Sequence, residues 1–319
     1  MGAGAFGWAG LVPTAGPRRT PSRPGIRGRS HPRTMHPVLF RIGDFYIGTY
    51  GVLSVLALVA ALTVGLALGR RAGLPADPIY DLAFIALVSG FLGARLLFIL
   101  VNFPAFLADP LSMILSRTGF VFLGGLALAA AACGVYVRWK ALPMWDVGDV
   151  AGPSLALAHA IGRVGCFFAG CCYGAPTGSS LGVAFTRLLD RQGQTIFSFA
   201  YQDHLQRGLI GPEATASLPV LPTQLFESAA NLLVFALLLL LWRRRSVPGH
   251  IFAVYLLLYG AARFALEFLR GDLERGLWFG GRLSTSQLLS LALIVVGAWL
   301  WNHLRPSLVV RRPRAAHGK

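Results

Sequence analysis

The chain has 319 residues, of which 55% are hydrophobic and only 13% are charged, and its formal net charge is +16. A soluble domain carries about 25% charged residues, so this composition excludes an ordinary soluble protein and indicates an integral membrane protein. The basic residues lie mostly in tails and in short connections between apolar runs, a distribution typical of membrane orientation and not of nucleic-acid binding. We therefore expect membrane lipid, and no nucleic acid, among the partners.

The first segment, residues 1–34, is rich in Gly, Pro and Arg and has no apolar periodicity. The pair Arg18-Arg19 is followed by no apolar core, so the sequence predicts no signal peptide. We interpret 1–34 as a basic tail that is disordered or is not part of the mature protein, because Met35 is itself a sensible start for a membrane protein.

Seven apolar runs follow, and each has the length of about 20 residues that a membrane crossing needs. They lie near 48–69, 79–103, 119–138, 147–171, 223–242, 250–269 and 284–302. They predict an all-α integral membrane protein with seven transmembrane helices, in a membrane domain that covers 35–304. Basic connections and the basic tail 305–319 share one side, which the positive-inside rule assigns to the cytoplasm, so the amino end is expected outside. The arginines of 1–34 oppose this orientation, which favours the loss of that tail.

The longest hydrophilic stretch, about 174–222, lies between the fourth and fifth spans. Short β-like runs at 181–185 and 195–201, together with turn-forming residues, predict a small extracytoplasmic head and not a separate domain. No internal repeat is visible along the chain, which weighs against a transporter built from repeats.

The end of the fourth span combines His159 and Arg163 with four glycines and the cysteines Cys166, Cys171 and Cys172. A full charge at membrane depth is costly, and such residues usually serve function. The glycines permit a close approach of backbone or ligand. The C-x4-C-C spacing is unlike that of common zinc sites, so tight helix packing is the favoured explanation of the cysteines and no metal site is predicted.

Other polar side chains form stripes within the spans. Residues four apart lie on one face of a helix, so Tyr259, Arg263 and Glu267 share a face of the sixth span. The stripe of the fifth span is Gln224, Glu227, Ser228 and Asn231. With Arg163, the stripes are expected to enclose a polar, net-positive chamber inside the bundle.

A structural alternative exists for each of these residues. Arg263 and Glu267 could form a structural ion pair, the amides of the fifth span could join helices, and Arg95 could extend to the membrane surface. As a set they favour function. The natural ligand of a positive chamber in a membrane is an anionic lipid head group, whose phosphate guanidinium groups bind through parallel hydrogen bonds.

Several motifs occur in the order found in one family. They are Gly93-Ala94-Arg95-Leu96, Gly124-Gly125-Leu126, Gly162-Arg163-Val164-Gly165, Gln224 with Glu227, Tyr259-Gly260 with Arg263-Phe264, Glu267-Phe268-Leu269-Arg270 and Ser286-Gln287, preceded by Met35-His36-Pro37 and Tyr50-Gly51. The Gly-Arg-x-Gly element is specific in this setting, and the match runs from about 35 to 301. By these motifs the chain resembles the prolipoprotein diacylglyceryl transferase family of bacterial membrane enzymes.

The resemblance implies a reaction. Members move the diacylglyceryl group of phosphatidylglycerol onto the lipobox cysteine thiol of a preprolipoprotein signal peptide, which forms a thioether and releases glycerol phosphate. This is the first step of bacterial lipoprotein maturation, and it uses no metal and no dissociable cofactor, so we expect none. The family is multi-pass in the bacterial cytoplasmic (inner) membrane, with the amino end outside, as the basic residues also indicate.

The resemblance also assigns roles to residues. Arg163 and Arg263 match the arginines that hold the lipid phosphate and neutralise the departing glycerol phosphate, and Tyr259 matches a tyrosine one turn before the second arginine. Glu267 is expected to orient Arg263. The other expected substrate-binding residues are Gln224 and Glu227, which would line the chamber, and Tyr50, Arg95, Gly124 and Gly125.

The chain departs from the family pattern at two places. Leu123, which accepts no proton, stands where many members have His or Tyr, and Cys166, Cys171 and Cys172 replace amide and carboxylate groups. His159, one turn from the arginine of the Gly-Arg-x-Gly element, is then the first candidate for the general base. Alternatively, the arginines lower the pKa of the substrate thiol from about 8.5 enough that no base is needed.

Three other hypotheses stay open. A transporter or flippase for an anionic lipid would use the same arginines to bind phosphate without chemistry. A paralogue of the transferase with an altered acceptor would account for Leu123 and the cysteines. A redox or metal protein would use the three cysteines themselves.

Overall fold

The computed structural model describes residues 37–304, except 43–44, 117–118, 190–192, 194, 197, 273–275 and 280. The tails predicted at 1–34 and 305–319 lie outside the described residues. In chain order the elements are β1 (Val38–Ile42), β2 (Phe45–Gly48), α1 (Thr49–Ala72), α2 (Ala76–Val101), α3 (Phe103–Ala108), α4 (Pro110–Leu115), α5 (Phe122–Trp139), α6 (Met144–Ala169), α7 (Phe199–Gln206), α8 (Thr223–Trp242), α9 (His250–Glu267), β3 (Leu277–Trp278), β4 (Leu283–Ser284) and α10 (Thr285–His303).

Seven of the described helices are long and apolar enough to cross a membrane, namely α1, α2, α5, α6, α8, α9 and α10. This confirms the predicted all-α, seven-span membrane fold. The predicted and observed bounds differ by at most three residues at either end of a span. At the third span, α5 begins at Phe122 and the preceding residues belong to a connection. That connection also contains the short helices α3 and α4, which hydropathy alone did not reveal.

Helix α6 lies at the centre of the bundle. It packs against α1, α8 and α9, while α2 pairs with α5 and α10 pairs with α9. Large apolar side chains on the outer faces are exposed, as Phe84, Phe91 and Val295 illustrate, and these faces meet lipid. Small residues lie where two helices approach each other most closely. For example, a Cβ on Gly260 of α9 would lie only 2.9 Å from the Ser290 carbonyl oxygen of α10.

The stretch predicted as a head forms a small packed unit between α6 and α8. Isolated strand bridges join Pro176 and Val183 to Val220, and the helix α7 packs over them. The predicted extended run at 195–201 is wrong from Phe199 onward, where α7 begins. The small core of the unit consists of Tyr173, Phe185, Ala200 and Val220, with Phe167 packed against it. Phe167 belongs to α6, so the unit continues directly from the end of that helix.

At the opposite end of α6, the fully buried Asp149 holds the start of α9. Its carboxylate accepts hydrogen bonds from the backbone N–H groups of Gly249 and Phe252, at 2.8 and 2.9 Å. It also pairs with Arg245, whose Nε lies 2.7 Å from Oδ2. These contacts satisfy N–H groups that the helix start leaves without intrahelical partners.

Replacing Asp149 by alanine should therefore destabilise the protein by about 3 kcal/mol, because two backbone N–H groups lose their acceptor and the partly buried Arg245 loses one of its two carboxylate partners. Thermal unfolding in detergent measures this. Asp146→Ala is the matched control, since Asp146 contacts the same arginine from a partly exposed position, and should cost about 1 kcal/mol or less. Equal losses in the two variants would contradict the proposed role of Asp149.

Candidate functional site

Three helices bring charged side chains to one level of the bundle. Arg163 lies six residues before the end of α6, Glu227 four residues after the start of α8, and Arg263 four residues before the end of α9. At 1.5 Å rise per residue, each lies about 6–9 Å inside the end of its helix that is nearest to the head. Because α6, α8 and α9 contact one another, the three side chains meet.

Glu227 is the centre of this meeting. One carboxylate oxygen accepts from Arg263 Nη1 at 2.8 Å, and the other pairs with Arg163 Nε. Arg263 Nη2 also lies 2.9 Å from Oε2 of Glu267, one turn along α9. We call Arg163, Glu227, Arg263 and Glu267 the charged cluster. The predicted convergence of the polar stripes is thus confirmed, and a single carboxylate joins the two arginines.

The expectation of a net-positive chamber is wrong for this cluster. It contains two arginines and two glutamates in contact, so its formal charges cancel. The carboxylates are almost fully buried, with 4% and 2% of their side-chain surfaces exposed, whereas 23% of the Arg163 side chain is exposed. Balanced pairing is what burial requires, because an isolated charge in a low-dielectric interior is very costly. An incoming anion must therefore share or displace Glu227.

A small recess adjoins the cluster. Its walls are Glu227, Ala230, Asn231, Tyr259, Ala262, Arg263 and Leu266. Asn231 donates through Nδ2 to the Glu227 carbonyl at 2.8 Å, while its Oδ1 is buried with no hydrogen-bond partner among the described residues. An unsatisfied buried acceptor is costly in the absence of a donor. The recess thus offers a guanidinium and an unused amide oxygen to a ligand with anionic and hydroxyl groups.

Aromatic rings form one side of the chamber. The imidazole of His159 stacks on the Tyr259 ring, with centroids 5.1 Å apart, and Tyr259 stacks in turn on Tyr255 at 5.6 Å. The Nδ1 atom of His159 is buried and has no hydrogen-bond partner among the described residues. The structure therefore brings His159 and Tyr259 together beside the arginines, as the sequence predicts for both.

The chain turns sharply where α6 ends. Gly170 has a left-handed backbone with φ of 72°, and Cys172 also has a positive φ, 58°, which is uncommon for a residue other than Gly. The turn brings the thiols of Cys166, Cys171 and Cys172 within 4.8 Å of one another. We call these three the thiol cluster. Hydrogen bonds from the other two thiols, and the Arg270 and Arg163 guanidinium groups, hold the pKa of the Cys172 thiol well below its usual value.

Polar contacts on both sides fix this turn. Thr223 Oγ1 donates to the Cys172 carbonyl at 2.8 Å, and Gln224 Nε2 donates to the Cys171 carbonyl at 2.6 Å. Gln224 was expected to line the chamber, and it holds the cysteine turn from the start of α8. A left-handed non-glycine residue persists where the surroundings determine it in this way.

Arg270 ends the family motif Glu267-Phe268-Leu269-Arg270, but the sequence analysis gave it no role at the site. It pairs with Asp272 just after α9. Burial opposes its charge, but the hydrogen bonds to Asp272 raise the pKa of the guanidinium. It lies close enough to Cys172 for electrostatic interaction. The signal that could have revealed it is the Arg270-Gly271-Asp272 sequence directly after a span that already carries two charges.

Four expected substrate-binding residues lie away from the charged cluster or pack between helices. Arg95 donates to carbonyls at the end of α4 and in the connection after it, at 3.2 Å to Ile114, 3.0 Å to Ser116 and 2.8 Å to Gly119. Gly124 and Gly125 lie where α5 crosses α2, and a Cβ on Gly125 would be 2.7 Å from the Gly90 carbonyl oxygen. Their roles in substrate binding stay predictions.

Tyr50 is the fourth of these residues, and it lies at the other side of the cysteine turn. It begins α1, where its ring packs against Gly165 of α6. It is also close enough to all three cysteines of the thiol cluster for electrostatic interaction. Tyr50 therefore borders the thiol cluster, and its role toward substrate stays a prediction.

Comparison with known proteins decides the family. The family model described as prolipoprotein diacylglyceryl transferase matches residues 37–303, nearly all of the described chain. The chain belongs to the prolipoprotein diacylglyceryl transferase family. The match spans all seven membrane helices and includes both the charged cluster and the thiol cluster.

Relatives in this family match over most of their length. The phosphatidylglycerol–prolipoprotein diacylglyceryl transferase of Clostridium tetani is 32% identical, over 84% of this chain and 97% of the relative. The Clostridium perfringens protein named as the second such transferase is 33% identical, over 84% and 95%. That of Symbiobacterium thermophilum is 33% identical, over 85% and 94%. Membership of this transferase family disfavours the alternatives of a dedicated transporter and of a redox protein.

Proposed function

We propose that this chain transfers the diacylglyceryl group from phosphatidylglycerol to the lipobox cysteine thiol of preprolipoproteins, in the first step of lipoprotein maturation. Sulfur attacks the glyceryl carbon, the carbon–oxygen bond to phosphate breaks, and glycerol phosphate leaves with the bonding electrons. Family membership supports the activity. The observation that carries the mechanism is the pair of arginines on one buried carboxylate beside a recess.

The arginines are suited to hold the phosphate. Arg163 pairs with Glu227 through Nε, which leaves its outer guanidinium nitrogens without a hydrogen bond to any described residue. Those donors are available to phosphate oxygens, and charge-assisted hydrogen bonds of this kind are stronger than neutral ones. As glycerol phosphate departs, its charge increases by one. Guanidinium groups that are already positioned stabilise that added charge without reorganisation.

The orientation follows from the same proposal. The charged cluster lies near the helix ends that carry the head, and the basic connections lie at the opposite ends. We therefore place the head and the amino end of the membrane domain outside and the carboxyl end in the cytoplasm. The lipid acyl chains then remain in the bilayer while the phosphate reaches the arginines.

His159 is the first candidate for the base, because its buried imidazole lies beside Tyr259 and one turn from Arg163. A base must be neutral, so the rate of a His159-dependent enzyme falls as acid protonates the imidazole. His159→Ala should then lower the rate about 100-fold and remove the acidic limb of the pH–rate profile. His159→Gln is the matched variant that keeps polarity. A near-normal rate with an unshifted profile would remove His159 from the mechanism.

The experiment that tests the proposed function uses the purified full chain in detergent. Phosphatidylglycerol and a lipobox peptide are added, and mass spectrometry measures a diacylglyceryl adduct on the peptide cysteine. An adduct supports transfer and opposes a lipid carrier, because a carrier needs a sealed membrane and chemistry does not. Bound lipid without an adduct, under conditions where the C. tetani relative reacts, would favour a paralogue with an altered acceptor.

A further inference from the structure

Three cysteine thiols converge next to the charged cluster, and the phosphate-holding arginines do not explain them. The thiols of Cys166, Cys171 and Cys172 lie within 4.8 Å of one another. They are half-buried, and none is in a disulfide. The C-x4-C-C spacing gave no reason to expect this convergence. It results from the left-handed residues Gly170 and Cys172, which fold the chain back on the last turn of α6.

The geometry suits a thiophilic metal ion. Three thiolates around a tetrahedral zinc, with Zn–S bonds of about 2.3 Å, lie about 3.8 Å from one another, so side-chain shifts of about 1 Å or less complete the site. Thiolate donors select zinc and other soft ions. Three protein ligands leave the fourth position open, which is the pattern of reactive and not of structural zinc sites.

Hydrogen bonds from α8 hold the backbone of the cysteine turn in place. Gln224 and Thr223 donate to the carbonyls of Cys171 and Cys172, which fixes two of the three thiol-bearing residues to α8. Partners of this kind orient metal ligands and tune their affinity. Zinc with three thiolates carries one negative charge. Arg163 and Arg270 both lie close enough to Cys172 for electrostatic interaction, and this attraction lowers the cost of that negative charge.

We propose that the thiol cluster binds one zinc ion, and that the open fourth position takes the thiol of the acceptor as a thiolate. The second half rests on the proposed transferase function. A metal-bound thiol is deprotonated, and its proton goes to solvent. The bound sulfur then attacks the glyceryl carbon while the carbon–oxygen bond breaks, and the neutral thioether, a weaker ligand, leaves. In this chain, with Leu123 where many members have His or Tyr, zinc would then deprotonate the acceptor thiol in place of His159, and His159→Ala would keep a near-normal rate. A large rate loss in that variant, with an unchanged zinc content, would overturn this half of the proposal.

Metal binding is tested without reference to activity. The reduced, metal-stripped full chain in detergent is incubated with Zn²⁺ and desalted, and the ratio of zinc to protein is measured. Wild type and Cys133→Ala should each hold one zinc per chain, since Cys133 is a cysteine of α5 outside the cluster. Cys172→Ala and the triple alanine variant should bind at least about tenfold more weakly.

The absorption spectrum of bound Co²⁺ tests the site in the wild-type protein, so this test does not depend on whether the cysteine variants fold. Co²⁺ bound by wild type should show tetrahedral ligand-field bands and thiolate-to-metal charge transfer. Three results would each overturn the metal site: no zinc in wild type, equal zinc in a folded triple variant, or octahedral cobalt without charge transfer. A disulfide among the three cysteines in protein isolated from membranes without reductant would do the same.

The acceptor half is tested on the cobalt-loaded protein. A lipobox peptide should increase the charge-transfer absorbance, and the same peptide with serine in place of its cysteine should not. An unchanged spectrum would overturn thiol ligation and leave the zinc as a structural ion. A response without any diacylglyceryl adduct in the assay would instead contradict the proposed transferase function, so the two failures are distinguishable.

Discussion

Arg163→Ala is expected to reduce diacylglyceryl transfer at least about 100-fold, because it removes a cation that acts on the departing phosphate. The guanidinium is anchored by only one atom, Nε, to Glu227, and its other donors face no described partner. Its loss also changes the charged cluster from balanced to net negative, which repels the anionic lipid. Initial rates at several phosphatidylglycerol concentrations should show both a lower kcat and a higher KM.

Arg163→Lys is the matched variant. Lysine keeps the charge but lacks the planar fork that binds two phosphate oxygens at once. It should recover lipid binding with a smaller recovery of kcat. Arg207→Ala is the positional control, since Arg207 pairs with Asp203 of α7 in the head and is not a member of the charged cluster. Transfer by Arg163→Ala within a fewfold of wild type, in a protein with an unchanged thermal transition, would remove Arg163 from the mechanism.

Hydrophobic length and helical periodicity predict most of this architecture. Runs of about 20 apolar residues can only be membrane helices in this composition, and the structure has all seven. The four-residue spacing of Tyr259, Arg263 and Glu267 places them on one face whatever the neighbouring helices are. The family resemblance added which of these polar residues belong to the site, and the comparisons show the family.

Other features depend on contacts that periodicity does not contain. The spacing of residues along the chain does not show that Arg163 of α6 and Arg263 of α9 pair with the same carboxylate, that of Glu227 on α8. This is why charges counted as net positive in sequence are balanced in space. Arg95, within an apolar run, turns to backbone carbonyls of a connection that hydropathy did not resolve. The sequence did not predict the thiol cluster, because the left-handed backbone conformation of Cys172 cannot be inferred from composition or spacing.

Glu227→Gln is the second variant with a large expected effect, and it should separate binding from catalysis. In the proposed mechanism Glu227 competes with the lipid phosphate for both arginines, yet it also holds them in position, since it pairs with each. The amide removes the negative charge, so the charged cluster becomes net positive and the anionic lipid should bind at least as tightly as to wild type. The arginines lose their common anchor, and displaced groups stabilise the transition state poorly. We expect kcat to fall about 100-fold with KM unchanged or lower.

Glu267→Gln is the control that tests this reasoning, because Glu267 has the same charge and pairs with Arg263, whereas Arg163 pairs with Glu227. It raises the net charge equally, so electrostatics by itself predicts the same change in KM for the two variants. If the role of Glu227 is to position the arginines, Glu267→Gln should lose much less kcat than Glu227→Gln, since Arg163 keeps Glu227 as its partner. If both variants lost kcat equally, general charge balance, and not the bridge through Glu227, would be what the reaction requires. If Glu227→Gln raised KM with an unchanged kcat, Glu227 would contact the lipid itself, and the two arginines would not depend on it for their alignment.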